Sequence, residues 1–180
     1  MDIKQMLPWG KGTLVTSVSD AAIQSKVDTI KVVIGNQADR VGAALTGMNV
    51  DIVCNTEWTH GQSGSVRIGL ESLDDSISGA IFLLVDQPNV GPEVINAIVD
   101  RFHETGAPIV AARVAGKKAN PVLFDRDLWP ELHMIDGDKG GRELISRYYD
   151  EVAWVDWNDD ILSEINTPDD YNSIGGSFNN

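Results

Sequence analysis

The sequence predicts an α/β protein, a three-layer α/β/α sandwich around a mostly parallel sheet, on three observations. Short β-branched or apolar runs alternate with stretches of helical period along the whole chain. The run GAIFLLVDQP (79–88) is solidly apolar, as expected of a parallel strand covered on both faces. Glycine or proline marks the ends of several of these stretches.

In order, TLVTSVSDAAIQSKV (13–27) spaces Leu14, Val18, Ala21 and Ala22 for an amphipathic helix that leads into the strand TIKVVIG (29–35). ADRVGAALTG (38–47) reads as a short helix ending at Gly47, and MNVDIVCN (48–55) as the second strand. SGSVRIGLESL (63–73) is a helix with serine available as its cap, followed by the strand that carries Asp86. GPEVINAIVDRFHETG (91–106) has Pro92 at a first helical position, an apolar face of Val94, Ile95, Ile98, Val99 and Phe102, and a stop at Gly106. The strand PIVAARV, a turn rich in Gly and Lys, NPVLFDRDLWPEL, the helix GGRELISRYYDEV and the strand VAWVDW complete the alternation. No repeat or linker divides the chain, so residues 1–171 are expected to form one domain and 172–180 a frayed tail.

A formal charge of −13 argues against nucleic acid or an anionic membrane surface as partner, because phosphate-backbone affinity needs clustered Lys and Arg. One phosphorylated small ligand stays compatible, since a few local cations can reverse the sign inside a cleft. The apolar runs fall short of the roughly 18 residues of a membrane span, and no signal peptide is visible. The expected location is the cytoplasm. Cys54, the single cysteine, follows Ile52 and Val53 and is expected to be a buried structural thiol. His60 has no companion His, Cys or Ser that would suggest a metal or a nucleophile, and reads as a surface-loop residue.

Sites in such sheets lie beyond the carboxyl ends of the strands. Asp86 stands there, at the end of the most apolar run, with Pro88 stopping the strand. It either holds Mg²⁺ shared with phosphate oxygens or caps a turn. Asn55 ends the second strand, and Gly61 through Ser65 form a small-residue loop opening a helix, which suits a ribose, base edge or phosphate and equally a plain connector. In DGDKGGRELI (136–145), Asp136, Asp138, Lys139 and Arg142 form either a solvated turn with a helix start or a loop that positions an anionic second substrate, with Lys139 or Arg142 facing phosphate. In EINTPDDY (164–171), Thr167 and Asp170 form a capping-box variant, and the preceding Asn166 could offer an amide oxygen to a metal.

Taken in order, KQMLPWG, NTEWTHGQSGSVRIGL, LLVDQP, NPVLF, GDKGGRELI and EINTPDDY resemble the successive motifs of the molybdenum cofactor cytidylyltransferases, from Lys4 to Tyr171. The resemblance implies a nucleotidyltransferase fold, glycosyltransferase-A-like and Rossmann-related. It also implies transfer of CMP from CTP to the molybdenum-molybdopterin cofactor, with release of pyrophosphate. On that basis Asp86 would bind Mg²⁺ with Asn166 as second ligand, and Lys4 would lie against the triphosphate. Asn55, Gly61, Ser63 and Ser65 would line the nucleotide pocket. Asn120, Pro121, Asp138, Lys139 and Arg142 would face the pterin. A molybdoenzyme or its chaperone would receive the product.

The same resemblance raises an expectation about the opening MDIKQMLPWG, where Met6, Leu7 and Trp9 need burial before any strand has been laid down. Members of the family begin with an apolar strand and a loop of the form Leu-Ala-Ala-Gly-x-Ser-x-Arg-Met-Gly ahead of the lysine that Lys4 matches. About 20 residues of strand and loop are therefore expected upstream in a longer enzyme, with residues 29–35 and 80–86 flanking their place. Two other functions fit the residues: a guanylyltransferase or other transferase loading a phosphorylated acceptor, and a non-catalytic remnant that keeps the pterin side.

Overall fold

The computed structural model describes residues 3–135, 137 and 141–175. A 3-10 turn (Lys4–Met6) leads into a ribbon of β1 (Pro8–Trp9) and β2 (Gly12–Thr13) and then into α1 (Leu14–Ile23). Next come β3 (Lys31–Ile34), α2 (Ala38–Ala44), β4 (Asp51–Cys54), α3 (Gln62–Glu71), β5 (Gly79–Phe82) and α4 (Pro92–Thr105). The chain closes with β6 (Ile109–Val114), β7 (Lys117–Asp125), α5 (Trp129–His133), α6 (Arg142–Arg147), β8 (Val152–Trp157) and α7 (Pro168–Ser173).

Side-chain alternation along β6 builds the layers. Ile109 and Ala111 point to one face, with Leu70 of α3, Leu132 of α5 and Leu144 of α6. Val110, Ala112 and Val114 point to the other, onto Val94, Ile95, Ile98 and Phe102 of α4. Ile95, Ile98, Ile109 and Val110 are fully buried, each contributing about 1.5–3 kcal/mol by the area rule. The α/β/α sandwich follows from this two-sided covering.

The sheet itself is mixed. β3 pairs with β4 in parallel, and β6 with β8 in parallel, whereas β7 runs antiparallel to both β5 and β6 in the order β5-β7-β6-β8. The expectation of mostly parallel pairing missed the hairpin: the Gly/Lys turn after β6 is too short for a crossover, so the chain must return antiparallel. The apolar run at 79–88 is likewise strand only to Phe82, half-buried rather than sealed. Beyond the pair Phe82–Val122, the next residue of β7 is Pro121, which has no N–H to offer a ladder.

Among the described residues β3 and β5 share no hydrogen-bonded ladder. As expected for the segments 29–35 and 80–86, they flank a gap, an apolar slot of about 640 Å³ lined by Val32, Val33 and Ile34 on one side and Ala80, Ile81 and Phe82 on the other. Helices cover it from both faces, Val15 and Val18 of α1 among them and Val66 and Gly69 of α3.

The opening stretch finds its burial at the far end of the chain. Leu7 and Leu14 pack with Ile165 and the fully buried Tyr171, and Trp9 and Ile174 join them. The Tyr171 hydroxyl donates to the carbonyl of Pro8. α7 continues to Ser173 and Ile174 packs inward, so structure extends past Tyr171, where the sequence suggested a tail would begin.

Cys54 corrects its expectation: it is exposed. β4 has β3 as its neighbour on one side only, and both Asp51 and Ile52 on it are exposed as well, so this apolar run is an edge and not a core strand. Ser63 and Ser65 also lie inside α3 rather than capping it. Gly61 holds the N-cap position at φ +102°, a backbone conformation that suits glycine.

Candidate active site

Three segments far apart in sequence meet beyond the carboxyl end of β5. Asp86 stands in the turn that follows β5 and is half-buried, with Val85 anchored beside it in the core. Its backbone carbonyl accepts from the N–H of Ile165 at 2.9 Å, which brings the C-terminal segment alongside. Asn166, the next residue, is thereby held opposite Asp86. Lys4, on the 3-10 turn, places its ammonium between them, donating to Asp86 Oδ2 at 3.0 Å and to Asn166 Oδ1 at 3.1 Å.

The capping box of α7 fixes Asn166 in turn. Asp170 Oδ2 accepts from the N–H of Asn166 at 3.0 Å and of Thr167 at 2.7 Å, and Thr167 Oγ1 accepts from the N–H of Asp170 at 3.2 Å. These bonds, the Thr167 pair foremost and Lys4 least, hold the Asp170 carboxyl below the usual carboxylate range. The sequence pattern that marked a cap therefore also sets the amide that faces Asp86.

Asp86 Oδ1 is buried with no hydrogen-bond partner among the described residues. An unsatisfied carboxylate oxygen, a second oxygen already facing a cation, and an amide oxygen across from it form a hard donor set that fits Mg²⁺ or Mn²⁺. No cluster of three or more His, Cys, Asp or Glu exists among the described residues. A divalent ion here would thus take most of its shell from water and a bound phosphate, as is usual for nucleotide-site magnesium.

The second group belongs to the slot between β3 and β5. Ser65 of α3, Asn120 of β7 and Arg142 of α6 line it, with Gln62 and Lys118. Asn55 does not reach out. It is buried, its Nδ2 donates to Ser65 Oγ at 3.0 Å, and its Oδ1 accepts from the N–H of Glu57 at 2.9 Å, so it shapes the loop from behind. Ser63 is buried too, its N–H donating to the carbonyl of Gly137 at 3.2 Å. Pro121 is buried in β7, and the Asn120–Pro121 bond is cis. Asp138 and Lys139 lie outside the described residues. His60 is exposed in a 3-10 turn, as expected.

Lys118 is the residue the sequence reading passed over, because the Lys-Lys pair at a hairpin turn looks like solvated punctuation. Lys118 is exposed at its surface, yet the protein crowded round its stem and, after that, the neighbouring Arg142 charge push its ammonium pKa below the ordinary lysine value. That neighbourhood joins two strands' worth of sequence and leaves no local signal.

Comparison with known proteins agrees with this architecture. Residues 2–152 match the family described as the MobA-like NTP transferase domain. The chain belongs to this family, whose members are nucleotidyltransferases acting on nucleoside triphosphates. Purine catabolism protein PucB of Bacillus subtilis (strain 168) is 28% identical over 117 residues, 63% of this chain and 56% of PucB, so this chain spans little more than half of that relative. Nicotine blue oxidoreductase of Paenarthrobacter nicotinovorans is 24% identical over 169 residues, covering 89% of this chain and 81% of that protein. The crystal structure of Rv0371c from Mycobacterium tuberculosis H37Rv in complex with manganese superposes with a TM-score of 0.83 at 26% identity, over 96% of this chain and 91% of the other. No described helix is long and apolar enough to cross a membrane.

Proposed function

We propose that this chain is a cytidylyltransferase that moves CMP from CTP to the terminal phosphate of the molybdenum-molybdopterin cofactor and releases pyrophosphate. One observation carries the proposal: Lys4, Asp86 and Asn166 converge, from three distant segments, at the sheet end where this family of folds binds its ligands. Motif order in the sequence supports the pterin acceptor and the cytidine nucleotide. The location is proposed as the cytoplasm, and the receiving partner as a molybdoenzyme or its chaperone.

Asp86 and Asn166 would hold Mg²⁺, which neutralises phosphate charge and polarises the α-phosphorus when bound. The rest of the work falls to side chains. With its two oxygen partners engaged by a cation, the Lys4 ammonium is left to pair with triphosphate oxygens. The Asp170 cap keeps the Asn166 amide from turning away. Transfer at phosphorus asks for no enzyme nucleophile, and positioning plus charge compensation supply the rate.

The test is pyrophosphate release by the purified chain with Mg²⁺ and molybdenum cofactor, comparing CTP with GTP and wild type with Asp86→Ala. Turnover with CTP that disappears in the variant is the expected result. Preference for GTP would reassign the nucleotide. Cofactor binding without pyrophosphate from any nucleotide would overturn transferase activity in favour of a non-catalytic carrier.

A further inference from the structure

Lys118 and Arg142 line the same cleft from different elements. Lys118 lies on β7 and pairs across the ladder with Arg113. Arg142 is the first residue of α6. Neither side chain has an ion-pair or hydrogen-bond partner among the described residues, although the chain carries 27 acidic side chains against 14 Lys and Arg. Asp156 forms a two-pronged pair with Arg113 at 2.7 and 2.8 Å, and Glu143 lies 3.6 Å from Arg147.

Gly141 presses against β7 so closely that a Cβ there would fall 2.4 Å from the Phe124 ring, which pins the start of α6 to the strand that carries Lys118. Both side chains are exposed, and the Arg142 charge lowers the Lys118 pKa, so the two cations repel each other. In an acidic protein that arrangement becomes favourable once a dianion sits between the two cations. It also lies at the correct end. β7 runs antiparallel to β5, so Asn120 and Lys118, beyond the last pair Phe82–Val122, return along the side where β5 leads into Asp86.

We propose that Lys118 and Arg142 form a phosphate-binding pair that seats the phosphate group of the acceptor substrate. The proposal rests on the transferase reading above and adds Lys118, and the pairing, to it. Lys4, with Asp86 and Asn166, serves the nucleotide's phosphates; the Lys118–Arg142 pair serves the attacking one. The acceptor is then a phosphate monoester, and a neutral pterin or alcohol would not be held.

Two measurements test it. The first follows steady-state transfer in Lys118→Gln, which keeps an aliphatic stem, and in Lys118→Arg, which keeps the charge. KM for the molybdenum cofactor should rise about tenfold or more in Lys118→Gln, as loss of a charge-assisted bond implies, with KM for CTP unchanged and Lys118→Arg largely restored. A rise in KM for CTP alone, or no change, overturns the assignment. The second needs no turnover: ³¹P NMR titration of inorganic phosphate into wild type, Lys118→Gln and Arg142→Ala. Saturable binding lost in both variants supports the site even if no nucleotide is turned over. Equal binding by all three proteins, or none by wild type, sinks it.

Discussion

The ammonium of Lys4 lies 3.0 Å from Asp86 Oδ2, joining residues 82 positions apart. It links the 3-10 turn Lys4–Met6 to the turn that follows β5, and Asn166 completes the contact from a third direction. A cation of some kind belongs at that point, because a half-buried carboxylate with one orphaned oxygen is costly without one. Lysine fills the role here and a divalent ion would compete with it.

Asp86→Asn keeps the size of the side chain and removes its charge. Transfer activity should fall by about a hundredfold or more. Thermal unfolding should move little, since the Lys4 partner stays solvent-accessible. A kinetic assay paired with a melting curve separates the two effects, and a large loss of stability with activity intact would contradict the role given to this carboxylate.

The Asp170 carboxyl, depressed by its bonds to Thr167 and Asn166, makes stability acid-sensitive. Its folded-state pKa lies below the unfolded one, so the contribution is complete above the unfolded value near 3.8 and is lost as pH falls through the folded value. Asp170→Asn should flatten the fall in melting temperature between about pH 5 and 2. Thr167→Ala, which removes the cap, should cost about 1 kcal/mol at neutral pH.

Gly141→Ala forces a methyl group toward the Phe124 ring. Overpacking of this sort costs about 1–3 kcal/mol, read by urea denaturation. The start of α6 should shift with it, raising KM for the acceptor while leaving KM for CTP near wild type.

Cys54 is exposed at the end of β4. One equivalent of a maleimide should react with the native protein without denaturant, and the modified chain should keep its melting temperature. A thiol that labels only after unfolding would show that β4 is covered in solution.

Much of this molecule was legible in the order of its residues. Alternation of apolar runs, Pro92 at the first helical position of α4, the stop at Gly106 and the box of Thr167 and Asp170 all concern groups a few residues apart, and local spacing records them faithfully. Asp86 could be placed beyond the carboxyl end of a strand for the same reason, although β5 stops at Phe82 and Asp86 stands in the turn after it. What spacing does not record is which strand another strand hydrogen-bonds to. The antiparallel course of β7, the unjoined edges of β3 and β5 and the exposure of Cys54 follow from partner choice across long stretches of chain, and only tertiary packing decides it. Charges obey the same division. A lysine in a hairpin turn looks like isolated punctuation in sequence, and only the tertiary structure brings the Arg142 charge of α6 near it.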